Sequence, residues 1–306
     1  MLNIIGRRYW FFGLSLLVII PGLTALALWG LPMAFDITGG SLLEIGFESG
    51  EPPAPAEVVT IYQELNISFP QVQRAGTNDI VASSEPIDDA TKIEIITEME
   101  SRFSGPITVL RFDSIGPSVG MEIVQRVIGA AGLATLGVMA YITYAFRDVP
   151  HAFRYSLAAI IAILHDVAVV IGFEVIFGHF LGWEVDTLFL TALLTIIGFS
   201  VYDSIVVFDR IRENQRIHRR LDYETLVNHS ILQTLNRSTS TQLIVILTLL
   251  ALLLFGGVTM RQFVVILLIG FFSGTYSSIF IASPILVLWE NREWRWWFSR
   301  KKVRTG

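Results

Sequence analysis

Six stretches of the chain, at 9–31, 127–146, 155–178, 187–208, 238–256 and 262–289, are apolar with few or no charges. At about 1.5 Å per residue a helix of such length crosses about 30 Å of hydrocarbon, so the pattern predicts six transmembrane helices. The first follows Arg7 and Arg8 and is longer than the apolar core of a signal peptide, about 7 to 15 residues, so it reads as a retained anchor.

Between the first two stretches lies a different pattern. Residues 32–118 begin with an alternating run through Phe35, Ile37, Leu43, Ile45 and Phe47, a strand interrupted at Gly39 and Gly40. After a proline-rich breaker, 56–65 carries Val58, Ile61, Tyr62 and Leu65 at helical spacing. Residues 68–75 alternate as a strand, and a turn at 76–79 leads to a short strand at 80–83. A helix over 88–103 is expected to bury Ile93, Ile96, Met99 and Phe103, and 107–112 closes the set as a strand. The order βαββαβ predicts an α+β ferredoxin-like domain, with two helices on a four-stranded antiparallel sheet. The expected division is 1–31 for the N-terminus and first helix, 32–118 for this domain, 119–289 for five further helices, and 290–306 for a basic, aromatic tail.

Composition supports a membrane protein: 53% of the 306 residues are hydrophobic, and the mean hydropathy is +0.59. The net charge of −5 is unevenly spread, because residues 32–118 hold 14 Asp and Glu against 4 Lys and Arg, leaving the remainder at +5. Arginines mark alternate connections: Arg7 and Arg8; Arg147 and Arg154; Arg210, Arg212, Arg216, Arg219 and Arg220; then Arg292, Arg295 and Arg300 in the tail. The intervening connections have none at 179–185 and only Arg261 at 257–261. The positive-inside rule therefore predicts cytoplasmic termini and an extracytoplasmic acidic domain. Trp289, Trp294, Trp296 and Trp297, interleaved with basic residues, suit an interfacial anchor on the lipid bilayer. The acidic insert argues against nucleic-acid binding, and the absence of cysteine excludes disulfides and thiolate metal sites.

The candidate chemistry lies where charge enters the apolar runs. Asp203 is six residues deeper than Asp209, about 9 Å along a helix axis, and intramembrane carboxyls usually face a bundle interior or a polar cavity. Ser200 and Ser204 share its helical face. Arg237 opens the next span from the same side, followed by Ser238, Thr239, Ser240 and Thr241, so Asp203 and Arg237 are expected partners. Their functional reading is a carboxyl whose protonation and ion pairing exclude each other; their bland reading is a static buried pair. His165 and Asp166, about 17 Å along the axis from Arg154, form a second candidate relay. Glu174 reads as boundary-polar and Glu122–Arg126 as a local pair. Gly270, Gly274 and Ser278 have the small-residue spacing of a tight helix contact, and Pro284 is expected to kink its span. The chain has neither a nucleotide-binding motif nor a convincing metal-ligand cluster, which predicts a non-enzyme without cofactors, driven by an ion gradient or a partner.

Several separated stretches together resemble the SecF family, the smaller subunits of the bacterial SecDF translocation accessory complex. These are Phe35-Asp36-Ile37-Thr38-Gly39-Gly40, Ile115-Gly116-Pro117-Ser118-Val119-Gly120, residues 197–214 including Gly198, Asp209 and Arg210, and Asn236-Arg237 with Phe255-Gly256-Gly257. The resemblance covers essentially the whole chain. It implies half of a resistance-nodulation-division architecture, completed by SecD into a twelve-span unit of the inner membrane. That unit uses the proton-motive force to help secreted polypeptides leave the SecYEG channel, with YajC and YidC as further partners. Asp203 and Arg237 occupy the positions linked to proton passage in that family, and Asp166 is a lesser support. Tyr202 stands where Asn is usual, Ser204 and Ser238 where Thr is usual, and Gln242 where a small hydroxyl is common. The loss of an amide beside Asp203 keeps sodium open as the coupling ion beside the proton. Two other functions are compatible with the same residues: an exporter of small molecules or lipids, and a passive structural subunit of a translocon.

Overall fold

The computed structural model describes residues 3–47, 52–68, 70–75, 78–103, 107–257 and 260–293. The expected turn residues Gly76 and Thr77, and the tail with Trp294, Trp296 and Trp297, lie outside the described residues. After a 3-10 turn at Ile5–Arg7, helix α1 (Arg8–Trp29) forms the first of six helical segments long and apolar enough to cross a membrane.

The strand expected from residue 35 starts later. Phe35–Thr38 is a single helical turn, α2, in which the Thr38 N–H reaches the Ala34 carbonyl at 3.0 Å. The carboxylate of Asp36 accepts the Thr187 backbone N–H at 2.8 Å and is also bonded by the Thr187 hydroxyl. Gly39 ends the turn at φ 83°, a conformation that L side chains rarely adopt. Alternation misreads this turn because its tie is to a residue far along the chain.

Strand β1 (Gly40–Phe47), helix α3 (Pro55–Glu64), strands β2 (Gln71–Ala75) and β3 (Asp79–Ser84), helix α4 (Asp89–Phe103) and strand β4 (Ile107–Ile115) follow. The strands form one antiparallel sheet in the order β2-β3-β1-β4, with Leu43 opposite both Ala82 and Phe112. Leu43, Ile45, Ile80 and Ala82 share one core with Val58, Ile61 and Tyr62 of α3 and Ile95 and Met99 of α4. The buried face of α4 thus differs from the expected one: Ile93 is 60% exposed, and Ile95, one turn before Met99, takes the inner position.

The remaining spans are built on α5 (Pro117–Ala145), α6 (Ala152–Leu181), α7 (Thr187–Ile217), α8 (Tyr223–Phe255) and a final broken helix. That last span comprises α9 (Arg261–Ser277), a π-helical turn Ser278–Ala282, and α10 (Ser283–Glu290). Pro284 explains the break, because it offers no N–H and its ring crowds the carbonyl four residues back. The Ser283 hydroxyl donates to the Ser278 carbonyl at 3.0 Å, satisfying an acceptor within the widened turn.

Helices α7 and α8 continue beyond their apolar runs, so much of the expected basic loop is a helical hairpin. Asn214 donates to Ser230 and Gln233, both at 2.8 Å, and the Asp222 carboxylate caps α8 by accepting the Thr225 N–H at 2.9 Å. These polar contacts act beside an apolar seam in which Ile211, Leu226, Val227 and Ile231 are buried. On the opposite side, the Ala34 N–H bonds the Val185 carbonyl at 2.9 Å and the Val185 N–H bonds the Pro32 carbonyl at 2.6 Å. These bonds tie the start of the α+β unit to the α6–α7 connection.

Two close helix contacts set the spacing of the bundle. At the α1–α6 crossing a Cβ on Gly22 would lie 2.7 Å from the Gly172 Cα, so only hydrogen fits there. On α9 a Cβ at Gly270 would lie 2.1 Å from the Ile196 Cδ1 of α7, and one at Gly274 would lie 3.4 Å from the Ser200 Cα. The expected small-residue stripe therefore holds α9 against α7, whereas the Gly22–Gly172 pair has no local pattern to announce it.

Candidate functional site

The stripe on α9 brings serines, not only small volumes, to the centre of the bundle. Asp166 of α6 is buried, and its Oδ2 accepts the hydroxyls of Ser200 at 2.6 Å and Ser277 at 2.7 Å. Its Oδ1 accepts Ser273 at 2.7 Å and lies 3.0 Å from His165 Nδ1. The other ring nitrogen of His165 lies 3.0 Å from the Ser15 hydroxyl of α1. A hydrogen on Nδ1 makes the ring a donor to Asp166 and leaves Nε2 to accept from Ser15. An ionised carboxylate offers about four acceptor positions, and this donor set fills them.

Asp203 of α7 is also buried but has fewer partners. Its Oδ1 accepts Ser238 of α8 at 2.9 Å, and its Oδ2 accepts Ser278 at 2.6 Å. Ser278 is the first residue of the π turn, and its neighbour Ser277 bonds Asp166. The two carboxyl groups are thus bridged by adjacent serines of the same broken helix. Among the described residues neither carboxyl has an ion pair to Lys or Arg. Serine hydroxyls can donate to a carboxylate or accept from the protonated acid, so this centre can exchange a proton without moving a backbone.

The expected contact between Asp203 and Arg237 is absent from this structure. Ser238 faces Asp203, and neighbouring residues of a helix point about 100° apart, so Arg237 turns away onto the exposed side of α8. Its guanidinium lies 3.4 Å from the hydroxyl of Tyr202, itself 53% exposed. The depth expected for Arg237 is met, but its direction is not. Tyr202 accordingly contacts the arginine rather than the carboxyl of Asp203.

Other expected supports separate in the same way. Ser200 serves Asp166 rather than Asp203, and buried Ser204 has no hydrogen-bond partner among the described residues. Thr239 and Thr241 are exposed on α8, and Gly198 is exposed on α7. Asp209 makes a 3.6 Å pair with Arg212, and Arg210 bonds Gln233 and pairs with Glu213. Gly40 begins β1, Gly116 caps α5, Pro117 opens that helix, and Gly120 lies against the Ile37 carbonyl. Gly256 caps α8, and Gly257 has open space around it. Glu122 and Arg126 form the expected local pair at 2.6 Å.

Glu174 requires a correction. It is fully buried rather than reaching the boundary, with Oε1 accepting the Gln262 amide at 2.7 Å and Oε2 unpartnered among the described residues. Helical periodicity from Asp166 through Val170 to Glu174 would have placed it on the inner face. Ser273 and Ser277 carry no signal of their own in the sequence beyond their spacing of four, which puts both on one face of α9.

Residues 95–292 match the family described as "Protein export membrane protein SecD/SecF, C-terminal". The protein translocase subunit SecF of Anaerolinea thermophila is 56% identical over 301 residues, covering 98% of each chain. A crystal structure of SecDF from Thermus thermophilus, titled a translocon-associated membrane protein, aligns with a TM-score of 0.82 at 32% identity. That alignment covers 95% of this chain, which spans 39% of the SecDF chain. SecDF in a super-membrane-facing form aligns over 98% of this chain and 40% of its own, at 30% identity and a TM-score of 0.64.

Proposed function

The chain belongs to the SecD/SecF family of protein export membrane proteins, and on that premise we propose that it is the six-span half of an ion-driven export machine. Its role is in protein export. It assembles with SecD into a twelve-span unit of the bacterial inner membrane, with both termini cytoplasmic and the 32–118 α+β, ferredoxin-like domain outside. There the domain works with that of SecD on polypeptides leaving the SecYEG channel, in contact with YajC and YidC. The driving force is the proton gradient, with sodium as the alternative ion, and no nucleotide or cofactor takes part.

The observation that carries this reading is the serine-bridged carboxyl pair. A charge buried in hydrocarbon without a cation is costly, so such groups mark ion routes by default. Asp166 with its full donor set acts as the fixed acceptor, whereas Asp203, with one donor per oxygen, has room to take and release an ion. Arg237 is the mobile counter-charge, held beside Tyr202 while Asp203 is bonded to serines. Its exposed, membrane-depth position also fits a surface covered by SecD, since an arginine facing lipid would carry the cost of an unpaired charge.

Asp203→Asn should remove ion-gradient-dependent stimulation of export in membrane vesicles while leaving the protein inserted and bound to SecD. Full stimulation by that variant would refute the role of Asp203. Arg237→Ala tests the counter-charge separately, and replacing a proton gradient by a sodium gradient identifies the ion.

A further inference from the structure

The α6 face that holds Asp166 continues through Val170 to Glu174, in two steps of four residues. Eight residues of helix place Glu174 about 12 Å from Asp166 along the axis, toward the α6–α7 connection. Its side chain is fully enclosed, and among the described residues its Oε2 has no hydrogen-bond partner. The Gln262 amide nitrogen that bonds its Oε1 also donates to the Glu184 carbonyl at 2.7 Å. Gln262 therefore bridges the carboxyl to the connection.

Beyond Gln262 is an open cleft of about 190 Å3 between the sheet and the helical bundle. Gln262, Glu184 and Asp186 line it on one side, and Gln71, Gln73 and Ser83 line it from the sheet. The charged group that acts on Glu174 is Asp186 of the connection, which together with Glu184 faces Asp36 of α2. His179, farther along α6, is stacked on Trp29 with ring centroids 3.9 Å apart, and Arg261 beside Gln262 is exposed. Among the described residues no Lys, Arg or His forms an ion pair with Glu174.

We propose that Glu174 is the loading carboxyl on the cleft side of this chain, and that Gln262 is the gate between it and water. When Gln262 swings off Oε1, a hydronium ion in the cleft gives its proton to the carboxylate and leaves water behind, and the return of Gln262 to Oε1 closes the neutral acid off. The acid then releases its proton to water entering along the same face of α6 and returns to carboxylate, and that water carries the proton the remaining distance of about 12 Å to the Asp166–Asp203 centre. The cleft is bounded by the sheet, so movement of the α+β unit changes water access to Gln262. An enclosed carboxyl with one amide donor, one free oxygen and no cation is a poor structural strut but a suitable proton holder.

This inference rests on the ion-coupling reading, and one experiment separates the two. The full complex with SecD is reconstituted into vesicles, and proton influx from the cleft side is followed with an internal pH dye. Glu174→Gln keeps the shape and the Gln262 contact, so complex yield should match the parent, while influx should fall to the level of Asp203→Asn. Labelling with a hydrophobic carbodiimide, whose central carbon is attacked by the oxygen of a carboxyl that first protonates its nitrogen, should place an adduct on Glu174 that increases as the cleft-side solution is acidified. If Asp203→Asn blocks influx but Glu174→Gln conducts like the parent, or Glu174 takes no label, the loading role is wrong and the coupling reading stands. If Asp203→Asn conducts like the parent, both fall.

Discussion

Removing the hydroxyl of Ser277 tests whether Asp166 and Asp203 differ in charge. Ser277→Ala deletes one of four donors around Asp166 and leaves a carboxylate oxygen with a single hydroxyl partner, Ser200. A hydrogen bond to a charged group contributes about 1.5–3 kcal/mol. An ordinary interhelical hydrogen bond within a membrane averages about 0.6 kcal/mol and reaches about 1.7. On the proposed reading Asp166, with four donors, is the charged member, so Ser277→Ala should cost about 2 kcal/mol. Ser238→Ala, which removes a donor from Asp203, should cost about 0.6. Both serines are buried and lose the same atom, so differences in cavity size largely cancel in the comparison. The measurement is the shift in a denaturant titration of the purified complex with SecD, run on both variants and on Ser273→Ala as a second Asp166 donor. Equal costs at the two sites, or a larger cost at Ser238, would refute the assignment of a fixed anion to Asp166.

Gly172→Ala should force α1 and α6 apart, because its Cβ would lie 2.8 Å from the Gly22 Cα, where carbon atoms prefer about 3.5–4.0 Å. The expected overpacking cost of about 1–3 kcal/mol should lower the melting temperature of the complex, and an unchanged value would show that the crossing is looser than described. At the α6–α7 connection, burial, followed by Asp36 and Asp186, raises the Glu184 carboxyl above its ordinary range. A raised acid favours the folded state when protonated, so its penalty is absent below the unfolded value of about 4.3 and fully present above the raised folded value. Melting temperatures across that window should fall less steeply with rising pH in Glu184→Gln than in the parent, and identical slopes would contradict the assignment.

The buried carboxyls and their serine partners divide the information unevenly between sequence and fold. Asp203 and Asp166 are visible in the sequence because a carboxyl inside an apolar run violates the pattern around it. Their partners are ordinary serines, which carry no such signal, and the packing of α6, α7, α8 and the broken last helix selects which ones matter. Arg237 illustrates the limit: linear position supplied its depth, but a rotation of one residue around α8 decided that Ser238, not Arg237, meets Asp203. Glu174 failed for the opposite reason, since closeness to the end of an apolar run suggested water, whereas Gln262 of α9 and the α6–α7 connection enclose it.

By itself the sequence determined six helical spans, the acidic α+β unit between the first two, and the two carboxyls that have to be compensated. These follow from hydrophobic length, periodicity and charge, which are local properties of a chain read in order. The tertiary structure decided the short turn at Phe35–Thr38, the Gly22–Gly172 crossing, the π turn at Ser278 and the serine bridge from Asp166 to Asp203. Each depends on which residues from distant segments occupy the same space, and local periodicity does not encode that distance.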